Sequence, residues 1–185
     1  MENIKEIKDK YGKKLLEEYN KLDTKYKMTL ISHLEGSIHL EDKKKTFQPS
    51  DELIGKINEE LKGNVWTVAK EIATESLQKK YKAMYNKTYV EDEKIKIDTE
   101  WYCSLINKML KKEINSYLNM KKVCDKLYID INSYLDEDIE DKLDKNIVPV
   151  ISKMNIEQRN NYIELAQIFH YYQEKEEYSK KLTVK

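Results

Sequence analysis

Three histidines, two cysteines and one arginine are the residues of this 185-residue chain from which an active centre would have to be built. A di-metal helical bundle places Glu-x-x-His on two helices, and a zinc protease carries His-Glu-x-x-His. Neither pattern surrounds His33, His39 or His170. Cys103 and Cys124 have no zinc spacing and stand alone as thiols, which favours structural packing over nucleophilic work. Arg159 precedes His170 by eleven positions, about three helical turns at 3.6 residues each, so the two do not meet on one helix. No glycine-rich phosphate loop, Gly-x-Ser-x-Gly elbow or kinase signature occurs. The chain therefore reads as a non-enzyme without metal or cofactor, and a site assembled from scattered residues is the remaining catalytic alternative.

Two charged stretches offer binding chemistry instead. "DINSYLDEDIED" begins like a calcium loop at Asp130 and Asn132, but Tyr134 and Leu135 stand where an oxygen ligand and glycine are needed. What remains is a run of seven acids from Asp130 to Asp144 against Lys142. As a solvated helix face it needs no partner. As an interface, Asp136, Glu137, Asp138, Glu140 and Asp141 would dock a basic protein surface. The opposite stretch, "KKYKAMYNKTY", interleaves Lys79, Lys80, Lys82 and Lys87 with Tyr81, Tyr85 and Tyr89. Lysines beside aromatics grip nucleic-acid backbone and stack bases. Tyr81 and Tyr85 also continue an apolar stripe, which assigns them to the core with lysines snorkelling around them.

That stripe begins in "NVWTVAKEIATES", residues 64–76, which resembles the front of a helix-turn-helix. Ala69 and Ala73 have the right spacing, yet Lys79 falls where a recognition helix needs an apolar docking residue. Val65, Val68, Ala69, Ile72, Ala73, Leu77, Tyr81, Met84 and Tyr85 keep one face without a glycine break, so the spacing predicts one continuous amphipathic helix.

The elements that would carry these residues follow from composition and period. Hydrophobic residues are 39% and charged residues 37%, with four glycines and two prolines, a helix-rich profile poor in the turn residues that sheets require. Lysine, asparagine, isoleucine and tyrosine dominate and arginine is nearly absent, the skew of an A+T-rich genome, which makes lysine clusters weak evidence of phosphate binding. The formal charge is zero, so no global field steers the chain to nucleic acid or membrane. Ile4, Ile7, Tyr11, Leu15, Tyr19, Leu22, Tyr26 and Leu30 repeat every 3.6 residues and predict a long helix over about 2–35. Tyr102, Ile106, Leu110, Ile114, Tyr117, Met120, Cys124, Leu127, Ile131 and Leu135 predict a second over about 99–135, with bends at Asn115-Ser116 or Asn132-Ser133. On that reading Cys103 and Cys124 share a helix about 30 Å apart and do not pair. "YIELAQIFHYY" is apolar on most sides, so the C-terminal helix is expected at the centre of the bundle with Ile163 and Phe169 buried.

The expected architecture is all-α, a bundle of about six helices. It is either one domain over 1–185 or two helical halves, 1–90 and 98–185, joined by a linker at 90–98. No apolar run approaches the roughly 20 residues that span a bilayer, and the N-terminus lacks the apolar stretch of a signal peptide, so a reduced, cytoplasmic protein without membrane contact is expected. The functional expectation is a non-catalytic helical protein that binds a macromolecular partner, foremost a protein, in the manner of a phage or mobile-element accessory protein or an inhibitor of a host complex. A homodimer stays open. The alternative is a DNA- or RNA-binding regulator using residues 64–89, with Lys79, Lys80, Lys82, Tyr85 and Lys87 as contacts.

Overall fold

The computed structural model describes residues 7, 9–41, 44–87 and 89–183. Among them the chain is all-helical, with eight α-helices and no strand. They are α1 (Lys10–Asn20), α2 (Thr24–Ser37), α3 (Asp51–Leu61), α4 (Val65–Tyr85), α5 (Asp92–Leu110), α6 (Tyr117–Lys126), α7 (Ile139–Ser152) and α8 (Ile156–Thr183), with a 3-10 turn at Ile131–Tyr134. The chain divides into two compact units: residues 1–47 with 136–185, and residues 48–135. The first unit is thus made from both ends of the sequence. The expected linker at 90–98 is instead the opening of α5, whose N-cap is Glu91. The local acidic residues Asp92 and Glu93 sit in that first turn, where they suit the helix dipole.

In the first unit α1 and α2 pack with α7 and α8. The long helix expected from residue 2 divides here, and its first residues, Ile4 among them, lie outside the described residues. Asp9 caps α1 by accepting the Gly12 amide at 2.8 Å, and Asp23 caps α2 by accepting the Tyr26 amide at 3.0 Å. Most of the stripe points inward even though it is not continuous: Leu15, Tyr19, Leu22, Tyr26 and Leu30 are buried, whereas Tyr11 is exposed. A turn at Lys21–Leu22 still carries Leu22 inward, so the core keeps a helical period through a break that the Asp23 cap creates.

One buried polar cluster lies in this core. The Glu35 Oε1 accepts hydrogen bonds from the Thr46 amide (2.8 Å) and hydroxyl (2.7 Å), and the Thr46 oxygen accepts one from Asn146 Nδ2 at 3.2 Å. Burial raises the Glu35 carboxyl above its usual range, and the Thr46 bonds oppose that shift only in part. The Tyr19 hydroxyl is buried with no hydrogen-bond partner among the described residues.

α8 differs most from expectation. Its buried residues are Ile163 and Ala166; Phe169 is half-buried against the Tyr26 ring at 5.6 Å. It flanks its unit instead of filling it. The composition of "YIELAQIFHYY" is that of a surrounded helix, but its neighbours cover one side only.

The second unit is built on an α4–α5 hairpin, with α6 packed against α4, and α3 against α5 and the 3-10 turn. The single helix expected over 99–135 is here α5, α6 and the 3-10 turn. α5 ends at Leu110 with Lys111 as its C-cap, Lys112 takes a left-handed conformation, and Ser116, at one of the two foreseen bend sites, caps α6. Cys103 and Cys124 therefore belong to different helices, and both are free. Pro149 lies inside α7, in its last turn.

Two outcomes test this description. A folded carboxyl raised above its unfolded value contributes stability below about pH 4.5 that is lost as the pH rises through the folded value. Glu35→Gln keeps the acceptor for Thr46 without the buried charge. Its melting temperature should therefore pull ahead of wild type as the pH goes from 4 to 7; a gap constant with pH would contradict the buried carboxylate. Phe169→Ala should cost about 1–2 kcal/mol in denaturant unfolding, below the 3–5 of a fully buried phenylalanine.

Candidate functional site

The acidic run is largely consumed by its own helix. Asp138 is the N-cap of α7, and Glu140 and Asp141 occupy its first turn, where negative charge is stabilising. Lys142 Nζ lies 2.6 Å from Asp136 and 2.9 Å from Asp138, and Lys145 stands 4.0 Å from Asp141. Lys142 holds the Asp138 carboxyl below the ordinary range. Glu140 accepts the Thr24 hydroxyl of α2, and Asp144 pairs with Lys27 at 3.1 Å. Asp130 caps the 3-10 turn, accepting from the Asn132 amide and the Ser133 hydroxyl. Three lysines, Lys27, Lys142 and Lys145, thus serve Asp136, Asp138, Asp141 and Asp144, and the stretch stays net negative.

Histidine, cysteine and arginine do not converge. Arg159 bridges the Asp9 carboxylate and the Ile151 carbonyl at the end of α7 (3.1 Å), a structural tie. His170 stands 4.0 Å from Glu174 on its own helix, and the His33 ring lies 6.5 Å from that of Phe169. Burial pushes the Cys124 thiol up to about 12 and raises Cys103 as well, which disfavours the thiolate that nucleophilic chemistry needs. No group of three or more metal-ligating side chains gathers among the described residues, and no helix there is long and apolar enough to cross a membrane.

The basic stretch divides by angle. α4 runs unbroken through residues 64–76 and on to Tyr85, with Ala69 and Ala73 buried, so the helix-turn-helix resemblance is the front of one helix. Lys79 and Lys82, with Glu75 and Gln78, border one depression, whereas Lys80, one residue past Lys79, is turned roughly 100° from it. Tyr85 was expected in the core and is instead 56% exposed, beside exposed Met84 and Tyr89 at the end of the hairpin. Tyr81 is half-buried and its hydroxyl accepts from Lys94 Nζ at 2.8 Å. The stripe ran past the end of the packing partner, since α5 begins only at Asp92.

Two surfaces escaped the sequence reading. The first is the outer side of α8. Its inner side is fixed by Ile163, Ala166, Gln173 and Glu176; Gln173 accepts the Asp23 amide at 2.8 Å, and Glu176 takes Lys25 at 2.9 Å and the Tyr26 hydroxyl at 2.9 Å. Opposite stand Ile168, Tyr171, Tyr172 and Tyr178, each about half exposed or more. The spacing was legible, but apolar residues on every side signal burial unless it is known that neighbours are missing.

The second is Tyr128, which follows α6. Its amide bonds the Asp125 carbonyl and the next amide, of Ile129, bonds the Cys124 carbonyl at 2.9 Å, a Schellman cap whose left-handed residue is usually glycine. Tyr128 takes φ 58° there and is 98% exposed. Its ring packs on little, so the fold gains nothing from it. Codon bias does not demand it either, since Asn86 fills a left-handed position after α4.

Tyr128→Gly should therefore raise stability, by about 0.5–1 kcal/mol, measured by urea unfolding; a loss of that size would show that the ring is held by the fold. No protein-family model, no curated protein and no solved structure matches this chain.

Proposed function

We propose that this is a non-catalytic binding protein that docks a protein partner through the outer side of α8. The observation that carries the reading is the row Ile168, Tyr171, Tyr172 and Tyr178 on a helix whose other side is fully engaged. Contiguous exposed apolar surface marks interaction sites, and tyrosines supply large, rigid contact area at low entropic cost. Positions 168, 171, 175 and 178 follow the 3-4-3 spacing with which one helix meets another, so a partner helix or apolar groove suits the surface. Lys175 within the row lies 5.0 Å from the Tyr171 ring centre, a cation–π contact that keeps the ring orientated outward.

The acidic residues 136–141 act in this reading as helix-capping charge and contribute little to partner choice. Reading of duplex DNA finds no recognition helix in the continuous α4. An accessory protein or inhibitor of a larger complex, the class expected from composition, needs no more than such a face.

The test is paired capture from the native cell, with mass spectrometry and light scattering to detect self-association. Tyr171→Ala with Tyr178→Ala should leave the helical circular dichroism and melting temperature unchanged and reduce recovery of the wild-type partner at least about tenfold, the loss of 1.4 kcal/mol or more expected of tyrosine hot spots. Reversing Asp136, Glu137, Asp138, Glu140 and Asp141 to lysine should leave recovery comparatively intact. Retained capture by the α8 variant, with loss in the acidic one, would return the interface to the acidic run.

A further inference from the structure

We infer that the groove between α4 and α6 in the second unit binds single-stranded nucleic acid, with Tyr128 stacking on a base and Lys79, Lys82 and Lys122 holding the backbone. The groove has a volume of about 540 Å³, with Ile72 and Ser76 on its α4 side and Lys122 and Tyr128 on the other. It continues along α4 into the depression bordered by Lys79 and Lys82.

Charge selects an anionic occupant. The groove's two carboxylates are already taken: Glu75 by Lys126 at 2.5 Å and Asp125 by Lys121 at 2.7 Å. Lys126 also holds Glu71 at 3.1 Å. Four lysines (79, 82, 122, 126) thus line the groove and its continuation against two acids (75, 125); Lys79 acts on Glu75 at longer range, and Lys79, Lys82 and Lys122 make no ion pair within 4.0 Å among the described residues. Tyr128 selects the kind of anion. Its ring is wholly presented to solvent at the rim, on a backbone conformation that any bulky side chain occupies at a cost. A base has a flat face to set against it, which an acidic peptide lacks. Lysines with an adjacent free aromatic are the pairing that sequence-tolerant single-strand binders use. No arginine lines the groove, so bidentate readout of base edges has no part in it.

The experiment measures fluorescence anisotropy of labelled ten-nucleotide oligo(dT) and oligo(U) on the full chain, against a salt series and with polyglutamate as competitor. Wild type should bind with a log-log salt slope near −2, as expected for about three phosphate contacts on a single strand. Tyr128→Gly should weaken binding about tenfold while raising the melting temperature, which separates stacking from folding. Lys79→Glu with Lys122→Glu should abolish binding, and Lys153→Glu, in the first unit, should not change it. Tyr171→Ala with Tyr178→Ala should also leave it unchanged, so failure here and failure of the α8 reading are distinguishable. Absence of binding at 50 mM salt would overturn the inference. So would binding unaffected by Tyr128→Gly, or equal displacement by polyglutamate, which would make the groove a site for acidic peptides.

Discussion

One guanidinium closes the first unit. Its helices come from the two ends of the sequence, and the loop between them is the entire second unit, so bringing α1 and α2 against α7 and α8 carries an entropic cost of closure. Arg159 sits where those ends meet. It bonds the Ile151 carbonyl, which also accepts the Met154 amide at 3.1 Å where α7 ends, and the Asp9 carboxylate, which is already capping α1. The Gly12 amide and then Arg159 hold the Asp9 carboxyl below its ordinary range, so the cap and the tie favour the same charged state. A side chain at position 12 would place its Cβ 2.4 Å from Ile7 Cγ2 and 3.0 Å from Asp9 Oδ2. The glycine thus keeps room for this junction. Arginine does here what lysine does not, since its planar fork addresses a carboxylate and a carbonyl together.

The placement of α8 follows from that junction. Near its start Arg159 draws the helix towards α1 and α7; further along, Gln173 and Glu176 draw the same side onto α2. With both stretches committed to one direction, the outer residues have nothing left in the first unit to pack on. The apolar content that would make this a central helix becomes a surface. Two exposed surfaces of different chemistry result, an apolar-aromatic one on α8 and a basic groove with one aromatic on the second unit. They occupy separate units, which allows each to be altered without disturbing the other.

How much of this the sequence announces depends on whether a signal is local. Caps are local: the side chains of Ser50, Ser116 and Asn155 each accept an amide of the helix that follows. The inward stripes are also local, and Leu15, Tyr19, Tyr26, Ile106, Met120 and Cys124 are buried as their period requires. Continuity was lost at Asp23 and at Lys112, where a cap or a left-handed residue interrupts a stripe whose period the tertiary packing keeps up. Burial of apolar residues beyond a helix's last neighbour is not local at all. Tyr85 and Tyr171 carry the same signal as Tyr19, and only the position of other helices distinguishes them. Tyr128 was hidden for another reason: nothing in its neighbours' types announces a left-handed turn when tyrosine occupies the place of glycine.

The claim that α8 has a committed side and a vacant one can be measured by hydroxyl-radical footprinting of the tyrosines, read residue by residue. The account predicts that Tyr171, Tyr172 and Tyr178 are oxidised readily, though more slowly than wholly exposed Tyr128, while Tyr19, Tyr26 and Tyr117 are protected. Protection of the three α8 tyrosines to the level of Tyr19 would contradict it, returning α8 to the centre of the bundle and leaving the proposed interface without a surface.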